Sequence, residues 1–154
     1  MTTKECGTCT KCCEGYLTAN IKGHEMFPGK PCFFLEVNKG CTIYLDRPVN
    51  PCKSFDCGWK FIDEMPDKFK PEVCGVILHL EENNGNEYFA IINAPNEPSS
   101  EYLSWAITFA RSKNINLVWY VDDRGWWLGN EEFCNQMELK HSSSDPIKIR
   151  NEAY

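Results

Sequence analysis

The chain has 154 residues, 42% of them hydrophobic and 25% charged, which argues against a disordered or fibrous protein and suits one compact domain or two small modules. The formal net charge of -6 arises beyond residue 75, since residues 1–75 carry ten basic and ten acidic side chains and the remainder carries six and twelve. A surface of that sign repels phosphate backbones, and no Lys/Arg stripe is present to release counterions, so no nucleic acid is expected as a direct partner. The opening "MTTKECG" has no charged region followed by an apolar stretch, and no apolar run reaches the length of a membrane span. The protein is expected to be cytoplasmic and soluble, with no membrane partner.

Nine of the ten cysteines lie in residues 1–75, and only Cys134 lies beyond. In a reducing cytosol, closely spaced cysteines are more often metal ligands or catalytic thiols than disulfides. From Cys6 to about Pro71, Gly and Pro punctuate the chain, as in "MFPGKPC", "NKGC" and "DRPVNPC", and predict loops and turns. Such a stretch buries little apolar area, so bound metal is expected to offset its conformational entropy. One short helix is predicted in "SFDCGWKFIDEM", capped by Ser54, with Phe55, Trp59 and Ile62 at helical spacing and Cys57 in its first turn.

Beyond Pro71 the pattern changes. The runs "VCGVILHLEE" and "EYFAIINAP" are rich in β-formers and flank "NNGN", a strong hairpin signal. The segment "PSSEYLSWAITFARSKN" predicts an amphipathic helix, N-capped by serine, with Leu103, Ala106, Ile107 and Ala110 on one face and an end near Asn114. "INLVWYVDD" and "GWWLG" predict a second strand pair around "DDRG", with Trp126 and Trp127 on opposite faces. The order β-β-α-β-β predicts an α+β fold, a small antiparallel sheet with one main helix. A cysteine-rich metal-binding region, residues 1–71, is expected to pack as an irregular, metal-stapled layer on this α+β unit, residues 72–141. Residues 142–154 read as a polar tail, and the whole as one compact domain.

The chemistry is concentrated in Cys6, Cys9, Cys12, Cys13, Cys32, Cys41, Cys52 and Cys57, eight thiols that make two sets of four. A C-x-x-C turn lets two sulfurs converge on one metal. Cys6, Cys9 and Cys12 have the C-x-x-C-x-x-C spacing that wraps three corners of a 4Fe-4S cubane. Neighbouring side chains of an extended segment point to opposite sides, so Cys13 is expected to serve a second site or to stand in reserve. The fourth ligand of the first site falls to Cys32, Cys41, Cys52 or Cys57. Two four-cysteine zinc sites would also use all eight thiolates. All-sulfur ligation and the nearby Phe33, Phe34, Tyr44, Phe55 and Trp59 suit a cluster kept from solvent. Zinc and an iron-sulfur cluster both stay open, and the triplet spacing favours the cubane.

The block "CGTCTKCC" followed by "KPCFFLEVNKGCTIYLDRPVNPCKSFDC" resembles the YkgJ-like family of zinc- or iron-chelating cysteine-rich domains. The matching elements are C-x-x-C-x-x-C-C, the pair Pro31-Cys32, the run Cys41, Ile43, Tyr44, Arg47 and Pro48, and the closing Cys52 and Cys57. They span roughly residues 6 to 60, about a third of the chain. The resemblance implies metal binding and leaves the metal open.

Around the ligands, Arg47 is a candidate donor to a ligating sulfur or to a backbone carbonyl, with a surface Arg before a proline turn as the alternative, and Tyr44 reads as core packing beside the site, a hydrogen bond to sulfur being the lesser reading. His24 and His79 are not needed, because cysteines already fill four-coordinate sites. Cys74 and Cys134 read as buried small hydrophobes, with Cys74 the one that can substitute for a ligand. No Gly-rich phosphate loop, G-x-S-x-G turn or base-nucleophile pair is legible. The expected function is a metal-binding protein, an electron carrier or accessory factor whose α+β unit docks a protein partner. A zinc-stapled interaction module and a small metalloenzyme are the alternatives.

Overall fold

The computed structural model describes residues 4–55, 57–93, 97–122 and 124–141, and the backbone of 147–150. By its packing the chain divides into two units, Met1–Ile77 with Asn93–Asn96, and Leu78–Ile92 with Glu97–Tyr154.

In the second unit, strands β5 (Ile77–Asn83) and β6 (Asn86–Ile92) are adjacent and joined by Asn84 and Gly85, at φ 50° and 81°. A two-residue loop of type I′ needs positive φ at both positions, which Asn-Gly adopts at little steric cost. Helix α3 (Ser100–Lys113) starts where the Ser99 side chain accepts the Tyr102 N–H at 3.1 Å and stops at Asn114, in the left-handed region. Its buried stripe is Tyr102, Ala106 and Ala110, with Leu103 and Ile107 half-buried. Strands β7 (Asn116–Val121) and β8 (Arg124–Gly129) pair antiparallel, with Trp119 opposite Trp126 and Val118 opposite Trp127. Of their "DDRG" connection, Asp123 lies outside the described residues.

The chain is therefore mixed α+β, but its sheet is not the small antiparallel one expected. Five strands run in the order β5-β6-β7-β8-β9, and two of the neighbouring pairs are parallel. α3 carries the chain back to the starting end, so β7 runs parallel to β6 as in any β-α-β crossover. A helix not anticipated from the sequence, α4 (Glu131–Lys140), does the same between β8 and β9 (Ile147–Arg150). Residues 147–150 are thus a strand rather than free tail, while 142–146 and 151–154 of the expected polar tail lie outside the described residues.

β6 and β8 run in opposite directions, and both crossovers step the same way across the sheet. Right-handed connections must then place the two helices on opposite faces. They lie so: Tyr88, Ala90, Val118 and Trp127 pack with Phe133, Cys134 and Met137 of α4, whereas Phe89, on the other side of β6, meets Phe109 of α3 with ring centroids 6.3 Å apart.

The first unit is built from much smaller pieces. β1 (Ala19–Ile21) and β2 (His24–Met26) form a hairpin turned by Lys22 and Gly23, and β3 (Leu35–Glu36) pairs with β4 (Gly40–Cys41). Two single-turn helices follow, α1 (Gly58–Phe61) and α2 (Pro71–Cys74). The helix predicted in residues 54–65 is reduced to α1. Ser54 does not cap it, because its N–H donates to Val49 O at 2.8 Å and closes the preceding turn. The backbone is extended again at Cys57 (φ -70°, ψ 122°), which becomes the N-cap rather than a first-turn residue. Among the described residues no helix is long and apolar enough to cross a membrane.

Candidate metal centre

Four thiols held near one another cannot all ionise without a cation, so what matters is which sulfurs share a neighbourhood and which donors face them. At the start of the chain, the Cys9 N–H donates to the Cys6 carbonyl at 3.0 Å, closing a tight turn through Gly7 at φ 56°. Burial raises the Cys9 thiol pKa, and the backbone N–H groups of Lys11 and Glu72, which face its sulfur, pull it back. Cys57 lies in the same neighbourhood. Burial pushes its thiol up to about 11, Cys6 and Cys9 add like charge, and the N–H groups of Trp59 and Lys60 face its sulfur without closing a cap hydrogen bond.

Cys12 and Cys13 fall on one 3-10 turn, Lys11–Cys13, with their sulfurs 3.9 Å apart. One hydrogen between the two sulfurs keeps the Cys12 thiol protonated and eases ionisation of Cys13. The like charge opposing Cys13 comes from Cys32, Cys41 and Cys52. The buried Cys32 N–H donates to the Cys13 carbonyl at 2.8 Å, and β4 holds Cys41 opposite Leu35. Cys52 is raised by burial and then by Cys32, Cys41 and Cys12. Cys13 and Cys52 pack, half-buried, on the apolar cluster of Ile21, Met26 and Cys32.

The predicted residues thus sort into two neighbourhoods. One holds Cys6, Cys9 and Cys57, the other Cys13, Cys32, Cys41 and Cys52, and Cys12 lies between them. Among the described residues, no three His, Cys, Asp or Glu side chains converge closely enough to form a ready-made metal site. All ten cysteines are free thiols.

Arg47 lies near Cys41 and Cys52, its guanidinium 3.8 Å from the ring centroid of Tyr44. Tyr44 is 59% exposed, so it is a platform for Arg47 and not core packing. Of the aromatics expected to exclude solvent, Trp59 is buried and Phe34 and Phe55 are half-buried, but Phe33 is 65% exposed and stacks on His24 at 3.8 Å. Sequence reasoning missed Lys70 and Glu72, which form an ion pair of 2.7 Å beside the Cys6–Cys9 turn, with Thr8 Oγ1 donating to Glu72 at 2.9 Å. Their only sequence signal is position, just before Cys74. Compared with protein-family models, with curated proteins and with solved structures, the chain matches none of the three.

Proposed function

We propose that this protein binds metal through its N-terminal cysteines, as an iron-sulfur cluster or zinc held in two thiolate centres, and serves as an electron carrier or accessory factor. The observation that carries this reading is the sorting of the early cysteines into two neighbourhoods, with Cys12 between them, facing Cys9 on one side and Cys13 and Cys52 on the other. The thiolates fit a soft metal, since each neighbourhood is all sulfur.

Two orphaned donors support the same reading. Arg47 Nε, beside Cys41 and Cys52, and Trp59 Nε1, two residues beyond Cys57, are buried without a hydrogen-bond partner. A metal-bound sulfur is the acceptor both lack, and such donors orient ligands and tune a centre. When bound, a cluster supplies one-electron chemistry and zinc supplies a structural tie. The spacing of Cys6, Cys9 and Cys12 favours a four-iron cluster, whereas the sorting of the cysteines into two neighbourhoods favours two separate tetrahedral sites. Ten free thiols suit a reducing cytoplasm, and the YkgJ-like pattern agrees with a metal staple in this region.

Anaerobic purification followed by visible absorption and iron, zinc and sulfide analysis tests the proposal. Bound metal is expected, and a chain free of all three from metal-replete cells overturns it. A colourless protein with about two zinc ions selects zinc over the cluster.

A second reading is a zinc-stapled interaction module. Its support is the apolar surface of the segment that carries the later ligands, where Val37 is 80% and Leu45 85% exposed and Phe33 and Val49 are also open. A metal-loaded protein with no redox signal would favour it.

A further inference from the structure

Three cysteines of the first unit are followed directly by glycine: Cys6-Gly7, Cys57-Gly58 and Cys74-Gly75. Gly7 and Gly75 take φ 56° and 80°, a left-handed step that lets the following N–H groups turn back toward the preceding sulfur. With or without a following glycine, which Cys9 lacks, the N–H two residues downstream faces the thiol at three places. Lys11 faces Cys9, Trp59 faces Cys57 and Val76 faces Cys74. Backbone N–H groups aimed at sulfur are what a metal-bound thiolate needs, and Cys74 has the same provision as two residues already assigned to the first centre.

Position agrees with chemistry. α2, which ends at Cys74, is tied to the Cys6–Cys9 turn by Thr8 Oγ1 donating to Glu72 Oε2 at 2.9 Å and by the Glu72 N–H facing the Cys9 sulfur. Lys70 Nζ lies 3.8 Å from where a Cβ on Gly7 would stand. On the other side, the buried Tyr16 hydroxyl donates to Gly75 O at 2.7 Å and pins the residue after Cys74. The charge of Cys9 opposes ionisation of Cys74, and those of Cys6 and then Cys9 oppose ionisation of Cys57. Among the described residues, the Cys74 thiol donates to the Phe69 and Val76 carbonyls, at 3.3 and 3.5 Å. Cys12, by contrast, is engaged with Cys13.

We propose that Cys74 is a ligand of the first thiolate centre, completing it with Cys6, Cys9 and Cys57, and leaving Cys12 as the hydrogen-bonded neighbour of Cys13. This rests on the metal-binding reading and adds a ligand outside the eight-cysteine block. Metal binding draws the four sulfurs together as α2 and the Cys6–Cys9 turn close on it.

The test is anaerobic titration of the reduced, metal-free full chain with Co2+ alone. Cys74→Ser is expected to bind one cobalt equivalent fewer than wild type, or to hold it at least about tenfold more weakly, with less sulfur-to-cobalt charge transfer. Cys134→Ser, in the other unit, is expected to titrate like wild type. A Cys74→Ser chain that matches wild type overturns the assignment. A second measurement needs no variant: Zn2+ added to wild type should slow iodoacetamide alkylation of Cys74 at least about tenfold, in step with Cys6, Cys9 and Cys57. Protection of those three with Cys74 still reactive overturns it too. Wild type that binds neither metal overturns the metal-binding reading itself, and the Cys74 assignment with it.

Discussion

Four of the five strands in the second unit's sheet run six or seven residues, and Trp127, Leu128, Phe133, Cys134 and Met137 are completely buried around them. Among the described residues of the first unit no strand exceeds three residues, each α-helix is a single turn of four, and a cysteine, Cys32, stands in the small apolar cluster with Ile21 and Met26. Full burial of a Leu- or Phe-sized side chain contributes about 1.5–3 kcal/mol, so the second unit gains stability from apolar area alone. The first unit must fix a long run of turns at about 1–2 kcal/mol of backbone entropy per residue with far less area in return. The contrast teaches that apolar burial holds the second unit and is too small to hold the first alone, where the proposed thiolate-metal ligation would supply the difference.

The comparison breaks most visibly at a ligand. Cys9→Ser is expected to lose metal and open residues 4–60, while β5 to β8, α3 and α4 stay protected in hydrogen exchange. The effect on the first unit is of order 10 kcal/mol, the scale of a structural zinc site. Uniform protection along the mutant chain would contradict the division of labour.

Next in size is the other half. Phe133→Ala removes a ring that is wholly buried against Tyr88 at 5.5 Å between centroids, and should cost about 3–5 kcal/mol in urea unfolding followed at the second unit's amides. The metal content of the first unit should not change. A loss of bound metal in Phe133→Ala would show that the units are not held separately.

Much of this was legible because it is local. Asn84-Gly85 dictates a two-residue hairpin, and Ser99 and Asn114 bracket α3, but Cys12 and Cys13 do not point apart as in an extended segment, because the chain there forms a 3-10 turn that brings their sulfurs to 3.9 Å. The parallel pairings were not legible, because they depend on where α3 and α4 return the chain and no short-range signal carries that. α4 itself carries a local signal. Asn130 precedes two glutamates, and Phe133, Cys134 and Met137 fall on one helical face. Cys57 was misplaced by part of a turn because the hydrogen bond of Ser54 to Val49 is a feature of the turn before it. The exposure of Phe33 and Tyr44 could not be read from their aromatic character, since each is occupied by a polar neighbour, His24 and Arg47.

The cap of α4 offers a smaller and sharper probe. The Asn130 side chain accepts the Phe133 N–H at 2.9 Å, so Asn130→Ala should cost about 1 kcal/mol. Urea unfolding should show that loss at β8 and α4 with the first unit's metal affinity unchanged. A cost near zero would mean that packing of Phe133 alone fixes the helix start.

The smallest expected effect is a pH dependence confined to the second unit. His141 ends α4 with Nε2 3.1 Å from the Tyr120 hydroxyl and its ring stacked on Trp127 at 5.6 Å. Burial lowers its pKa first and the neighbouring Lys140 charge second, so the fold prefers the neutral imidazole. In the unfolded chain the ring titrates near 6.5, and below that pH the unfolded state binds more protons than the folded one. The contribution of His141 is therefore fully present above its unfolded pKa and is lost as pH falls through 6.5 toward the lower folded value. Unfolding free energies measured between pH 8 and pH 5 for wild type and His141→Gln should diverge at the upper end and converge at the lower. Parallel curves would show that the imidazole is equally at ease in both charge states, and would remove this titration from the account of the second unit.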